Sequence, residues 1–192
     1  MSTYQLRQAS PGAWLQTVLD NFDQFLIDHA AAEKKASGMA TSMLSHYPDK
    51  PELVEAMCEL ALEEMLHFRD VVKLLHERGL TLGADAKDHY INAFRKHMRR
   101  GTEVYFLDRL LIGSIVEARG AERFGLIAEA LPEGKLKKFY IAITESEKRH
   151  DDLFLKFAYK YFEREIVEKR LDELLDIEAE LIRSLPIIAA LH

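Results

Sequence analysis

Apolar residues recur along this chain at steps of three and four over most of its length, and strand-like alternation of β-branched residues is nearly absent. That period belongs to amphipathic helices, so the pattern predicts an all-α protein. Ser10-Pro11 supplies a cap followed by a first-turn proline, and the helix it opens is expected to run toward His46, where Tyr47-Pro48-Asp49 breaks it. Pro51 opens the second, which should end at Arg78-Gly79. A shorter helical stretch is expected around residues 85–100, and Gly101-Thr102 separates it from a third long helix reaching about Ala130. After Leu131-Pro132-Glu133-Gly134 the fourth long helix occupies residues 135–163, and an amphipathic tail helix continues to Ser184-Leu185-Pro186.

The buried face of each long helix can be read from the same steps, and each carries polar residues where Leu would be expected. The first stripe is Phe22, Leu26, His29, Glu33, Ala36, Ala40 and Met43; the second is Leu53, Met57, Leu60, Glu64, His67, Val71 and Leu74. Leu107, Leu110, Ser114, Glu117, Ala121 and Phe124 form the third, and Leu136, Tyr140, Ile143, Glu147, His150, Phe154, Phe157 and Tyr161 the fourth. The polar positions repeat: a lone Glu33 precedes Glu64-Met-Leu-His67 by 31 residues, and a lone Glu117 precedes Glu147-Lys-Arg-His150 by 30. Short Glu-x-x-His matches arise by chance in a Glu-rich chain, so the weight lies in the duplication.

Four buried carboxylates without compensation would each cost several kcal/mol, and two divalent cations supply the missing charge. A Glu and a His at i and i+3 lie on adjacent positions of one face, so each pair can take one metal while a Glu of a neighbouring helix bridges or terminates. Oxygen ligands with one imidazole per metal suit iron or manganese, and no clustered cysteines suggest structural zinc. The competing reading is a helical core in which inward Glu and His pair with each other or with Lys and Arg. Glu59, Glu63, Glu122, Glu129 and Glu145 fall off or at the margin of the stripes and should be solvated; His29 is either a partner of Glu33 or a satisfied core histidine. Three short breaks and one roughly fifty-residue crossing from His67 to Glu117 are what a ferritin-like four-helix bundle with additional short helices requires.

At 192 residues and 48% apolar content the chain can bury one substantial core, and a single domain over residues 1–192 is expected. The one cysteine, Cys58, excludes an intramolecular disulfide framework and is expected to be a small buried hydrophobe. No leader-like start and no stretch of eighteen uninterrupted apolar residues is present, which predicts a cytoplasmic protein without a membrane span. A net charge of −6 disfavours broad attraction to nucleic acid, yet Arg95, Lys96, His97, Arg99 and Arg100 form a local basic run. Taken alone, such a run is a solvated helix end.

Glu33, Glu64-Met-Leu-His67, Glu117 within Ile115-Val-Glu-Ala-Arg-Gly-Ala-Glu-Arg-Phe124, and Glu147-Lys-Arg-His150 together resemble the tRNA 2-methylthio-N6-isopentenyladenosine hydroxylases, the MiaE family. The likeness runs from about Leu15 to Tyr161, with no departure from the ligand pattern; the six positions are shared with ferritin-like proteins generally, and the segment after Glu117 and the length point to this family. The resemblance implies a diiron centre of two iron ions held by Glu33, Glu64, His67, Glu117, Glu147 and His150, with dioxygen as co-substrate. It implies oxygen-dependent hydroxylation of a prenyl side chain beside the anticodon, with electrons from a separate reductase. Under it the tRNA anticodon stem-loop becomes a partner, and Arg95, Lys96, Arg99 and Arg100 become candidate phosphate contacts. A ferritin-like iron- or peroxide-handling protein without a nucleic-acid substrate is the alternative. A membrane-quinone hydroxylase and a metal-free helical scaffold are more distant ones.

Overall fold

A computed structural model describes residues 4–192, and among them seven helices and no strands are found. They are α1 (Gly12–Asp20), α2 (Phe22–His46), α3 (Pro51–Glu77), α4 (His89–Arg95), α5 (Thr102–Ala130), α6 (Lys135–Tyr161) and α7 (Arg164–Ser184). No described helix is long and apolar enough to cross a membrane.

The described residues group into two compact units. One comprises Gln16–Lys87 with Ile188–Leu191, and its substance is α2 packed along α3. The short turn from Tyr47 to Lys50 folds α3 back, with Pro51 in the first helical turn where its missing N–H costs nothing. Ser37 Oγ donates to the Ala61 carbonyl at 2.8 Å, and Arg78 Nε to Asp23 at 2.6 Å, tying the two helices at mid-length and at one end. At the end of α3, Gly79 takes a φ of +73°, its N–H reaching His76 O and that of Leu80 reaching Leu75 O. Those two bonds are a Schellman closure, which needs a residue free to enter the left-handed region. Lys34 on Asp85 and Lys35 on the Ala86 carbonyl then hold the departing chain against α2.

The other unit comprises the described residues up to Leu15, together with Asp88–Ile187 and His192. Here α5 packs along α6, and α7 contacts α4, α5 and α6. Leu107, Leu110, Phe124, Tyr140, Phe154, Val167 and Leu174 are buried in it. Two ion networks are buried as well. Arg119 of α5 is fully enclosed and forks onto Glu178 of α7 at 2.8 and 3.0 Å, also reaching Glu122 and the Gln8 carbonyl. Ser10 bonds Glu122 through its amide and hydroxyl, so the segment before α1 is fastened to the same cluster. Asp108 of α5 receives both Arg170 of α7 and Arg99. Such pairs are satisfied rather than strongly stabilising, but removing one member strands the other.

Helix boundaries agree with the sequence pattern except in two places. The first expected helix is two, because Asn21 (φ −128°, ψ 45°) turns its side-chain amide onto the Thr17 carbonyl at 3.0 Å and so competes with the helical ladder. The stretch expected over residues 85–100 is helical only in α4: Asp88 accepts from the Ile91 amide at its start, and beyond Arg95 side chains of α5 and α7 capture the backbone of His97 and Arg99. Cys58 is exposed rather than buried, and Glu122 is engaged by Ser10 and Arg119 rather than solvated.

Candidate metal centre

Each unit carries one Glu/Glu/His triad. In the α2–α3 unit, Glu33 and Glu64 are almost fully buried, and His67 keeps only 14% of its side chain exposed. One ligand atom from each of the three lies within 4.8 Å of the others. His67 Nδ1 stands 3.6 Å from Glu33 Oε2 and 3.4 Å from Glu64 Oε2. In the α5–α6 unit, Glu117, Glu147 and His150 are buried and likewise bring one ligand atom each within 4.8 Å of the others, with His150 Nδ1 3.9 Å from an oxygen of each carboxylate. The reason lies in the helical register: i and i+3 on α3 and on α6 put Glu and His on one face, and the lone Glu comes from the neighbouring helix.

The donor set fits metal ions. Separations of 3.4–3.9 Å are long for hydrogen bonds. Two ligands each about 2.1 Å from one cation stand roughly 3–3.5 Å apart, so small adjustments bring these atoms onto a shared ion. Two carboxylates and one imidazole per triad, in an apolar interior, also carry an excess of negative charge that a divalent cation neutralises. The α2–α3 triad shows this electrostatically. Burial alone would push the Glu33 carboxyl up, but its hydrogen bond with His29 and the nearby His67 imidazole outweigh it and hold the group well below the usual carboxylate range. Burial would pull His67 down; Glu33 and Glu64 instead push it up to about 10.

Groups behind the triads differ. His29, fully buried one turn before Glu33, lies with Nε2 2.6 Å from Glu33 Oε1, so it partners the carboxylate and is also the satisfied core histidine. In the other unit, Ser114 Oγ donates to Asp151 Oδ1 at 2.5 Å, and the Tyr4 hydroxyl reaches the same oxygen at 2.8 Å, next in sequence to His150. Gly120 faces Glu147: a Cβ there would stand 3.3 Å from Glu147 Oε2, so the missing side chain makes room for the carboxylate. Ser114 is visible on its stripe, but nothing in the sequence couples it to Asp151 or Tyr4.

Of the four basic candidates, Arg95, Lys96 and Arg100 are exposed, whereas Arg99 is half-buried and engaged with Asp108. Burial opposes ionisation of Asp108, but Arg170 and Arg99 overcome it and hold its carboxyl below the ordinary value.

Comparison with known proteins gives a consistent picture. Residues 2–192 match the family model described as tRNA-(MS[2]IO[6]A)-hydroxylase (MiaE). A tRNA 2-(methylsulfanyl)-N(6)-isopentenyladenosine(37) hydroxylase from Pseudomonas putida is 33% identical over 175 residues, covering 91% of this chain and 85% of that protein. The enzyme of the same name from Salmonella typhimurium is 29% identical over 157 residues, 82% of this chain and 57% of its own length. Among solved structures, Protein 43 with aldehyde deformylating oxygenase activity from Synechococcus superposes with a TM-score of 0.92 at 31% identity, covering 98% of this chain and 96% of its own. The expected fold class, all-α and ferritin-like, is thereby shown.

Proposed function

Since the chain belongs to the MiaE family, we propose that it hydroxylates the isopentenyl side chain of 2-methylthio-N6-isopentenyladenosine in tRNA, using dioxygen. The observation that carries this is a family match over residues 2–192 in a chain whose buried Glu/Glu/His triads fall at the positions the duplicated motif predicts. One match spanning that length also supports treating residues 1–192 as a single functional domain.

Glu33, Glu64 and His67 with Glu117, Glu147 and His150 are the residues that hold two iron ions in this reading. When bound, such a centre supplies activation of dioxygen, one atom entering a C–H bond of the prenyl group and the other leaving as water with two electrons and two protons. A separate reductase delivers those electrons. The protein's part is placement and exclusion of water. His29 fixes the orientation of Glu33, and Gly120 admits Glu147. Buried Leu26 and Leu60 near one triad, and Ile143 and Phe154 near the other, keep the surroundings dry, so an oxidising site is protected from side reactions. The modified adenosine of the anticodon stem-loop is unstacked easily because it lies in a single-stranded loop, and Arg95, Lys96 and Arg100 offer charge for the flanking phosphates. A tRNA substrate is consistent with a cytoplasmic reaction.

The test is incubation of the reduced, iron-loaded protein with oxygen and prenylated tRNA, followed by mass analysis of the nucleosides for one added oxygen atom. No mass gain from a protein shown to hold iron overturns the assignment. Consumption of an aliphatic aldehyde in a parallel arm would move the reading toward the chemistry named for the Synechococcus protein, and peroxide turnover alone would favour the storage or scavenging alternative.

A further inference from the structure

One buried carboxylate governs the segment between α4 and α5. Asp108 is fully enclosed, yet it accepts the Arg99 backbone N–H at 2.7 Å, Arg99 Nη2 at 2.7 Å, and Arg170 Nε and Nη2 at 2.9 and 3.0 Å. Arg170 also donates to the His97 carbonyl at 2.8 Å and to Glu173 at 2.8 Å. The turn over residues 97–99 is thus gripped by an amide at one end and a carbonyl at the other. The charges of Arg99 and Arg170 are balanced by Asp108 and Glu173. What remains to face outward is Arg95, Lys96 and Arg100, all exposed and flanking the gripped turn.

An enclosed carboxylate shared by a buried and a half-buried arginine is a poor device for stability, because desolvation of the charges offsets most of their attraction. It is a good device for fixing a backbone. We propose that Asp108, Arg170 and Arg99 form a clamp that presents Arg95, Lys96 and Arg100 as a preformed phosphate-binding face for tRNA, with Arg99 a positioning residue rather than a phosphate contact. This rests on the tRNA reading and refines it, since the sequence alone groups all four cations as equivalent contacts. Cations on a fixed turn lose less freedom on binding than cations on a loose one.

The experiment measures affinity of the iron-loaded protein for prenylated tRNA across a salt series. Each lost phosphate contact lowers the slope of log K against log salt by about 0.7–0.9. R95A/K96A/R100A should flatten the slope by roughly two to three and weaken binding tenfold or more. Arg99→Lys keeps the charge but cannot fork onto both Asp108 oxygens, so it should weaken binding by about three- to tenfold with the slope unchanged. Arg100→Lys should behave like wild type. The clamp is overturned by wild-type affinity in Arg99→Lys, by a flattened slope in Arg99→Ala, or by wild-type affinity in the triple variant. Hydrogen exchange on the unaltered protein gives an independent reading: the Arg99 amide should be protected before tRNA is added and change little afterwards, and fast exchange without RNA overturns the proposal. Wild-type protein with no affinity for tRNA removes the functional assignment itself, an outcome separable from failure of the clamp alone.

Discussion

The two triads share a motif and a spacing, but they are supported by different means. Around Glu33, Glu64 and His67 the support is histidine: His29 sits on the same helix as Glu33, 2.6 Å from its oxygen, and the nearest donor atoms of His67 lie 3.4–3.6 Å from both carboxylates. Around Glu117, Glu147 and His150 the separations of His150 from each carboxylate are 3.9 Å, and the polar cluster on the same two helices is Ser114, one turn before Glu117, with Asp151, next after His150, joined by Tyr4. Tyr4 comes from the segment before α1, so that half leans on a part of the chain more than a hundred residues away in sequence. The duplicated pattern therefore repeats the candidate ligands, as two cations of one kind would require in the proposed reading, and leaves each helix pair to solve positioning with whatever its neighbours provide.

Removing a ligand from either half should have the largest effect and should erase the difference between them. Glu64→Ala and Glu147→Ala are each expected to lower hydroxylation more than about a hundredfold, since a site short of one carboxylate loses charge balance as well as a bond. Iron per chain by elemental analysis, measured alongside activity, checks this; full iron content in either variant would show that the residue is not a ligand.

Substitutions behind the ligands should separate the halves. His29→Ala removes the group that holds Glu33 and is expected to reduce metal affinity about 10- to 100-fold. Tyr4→Phe deletes a hydroxyl that bonds Ser114 and Asp151 rather than a ligand, so it should cost about 1 kcal/mol of stability in urea unfolding while metal affinity stays within a fewfold of wild type. If competition against a chelator showed the reverse order, the asymmetry described above would be wrong.

How much of this was readable beforehand depends on whether a feature is local. The long helices, the Gly79 stop and the inward placing of the six candidate ligands follow from periodicity and turn chemistry, and the structure places the six on buried faces. Asn21 gives no break signal in the sequence, because the side-chain bond to Thr17 that interrupts the ladder is one of several conformations open to an asparagine. Arg119, Glu178 and Asp108 lie in windows where charged residues resemble solvated helix faces; only the packing of α7 against α5 reveals them as buried partners. Arg99 is the instructive case. In sequence it is one cation in a basic run, and its engagement with Asp108 nine residues later depends on the course of the turn between them.

Gly120 offers the finest test, because two physical effects of one methyl group oppose each other there. Alanine in the middle of α5 should favour the helix by up to about 1 kcal/mol relative to glycine. The same methyl would sit 3.3 Å from Glu147 Oε2, tighter than ordinary contact, and must push that carboxylate by a few tenths of an ångström. Gly120→Ala is thus expected to unfold at an equal or higher temperature than wild type while binding metal several-fold more weakly, and to leave Glu33 and its partner His29 undisturbed. A helix that gains stability with no change in metal affinity would mean Glu147 has slack in its position, and that the α5–α6 half tolerates displacement that its close packing argues against.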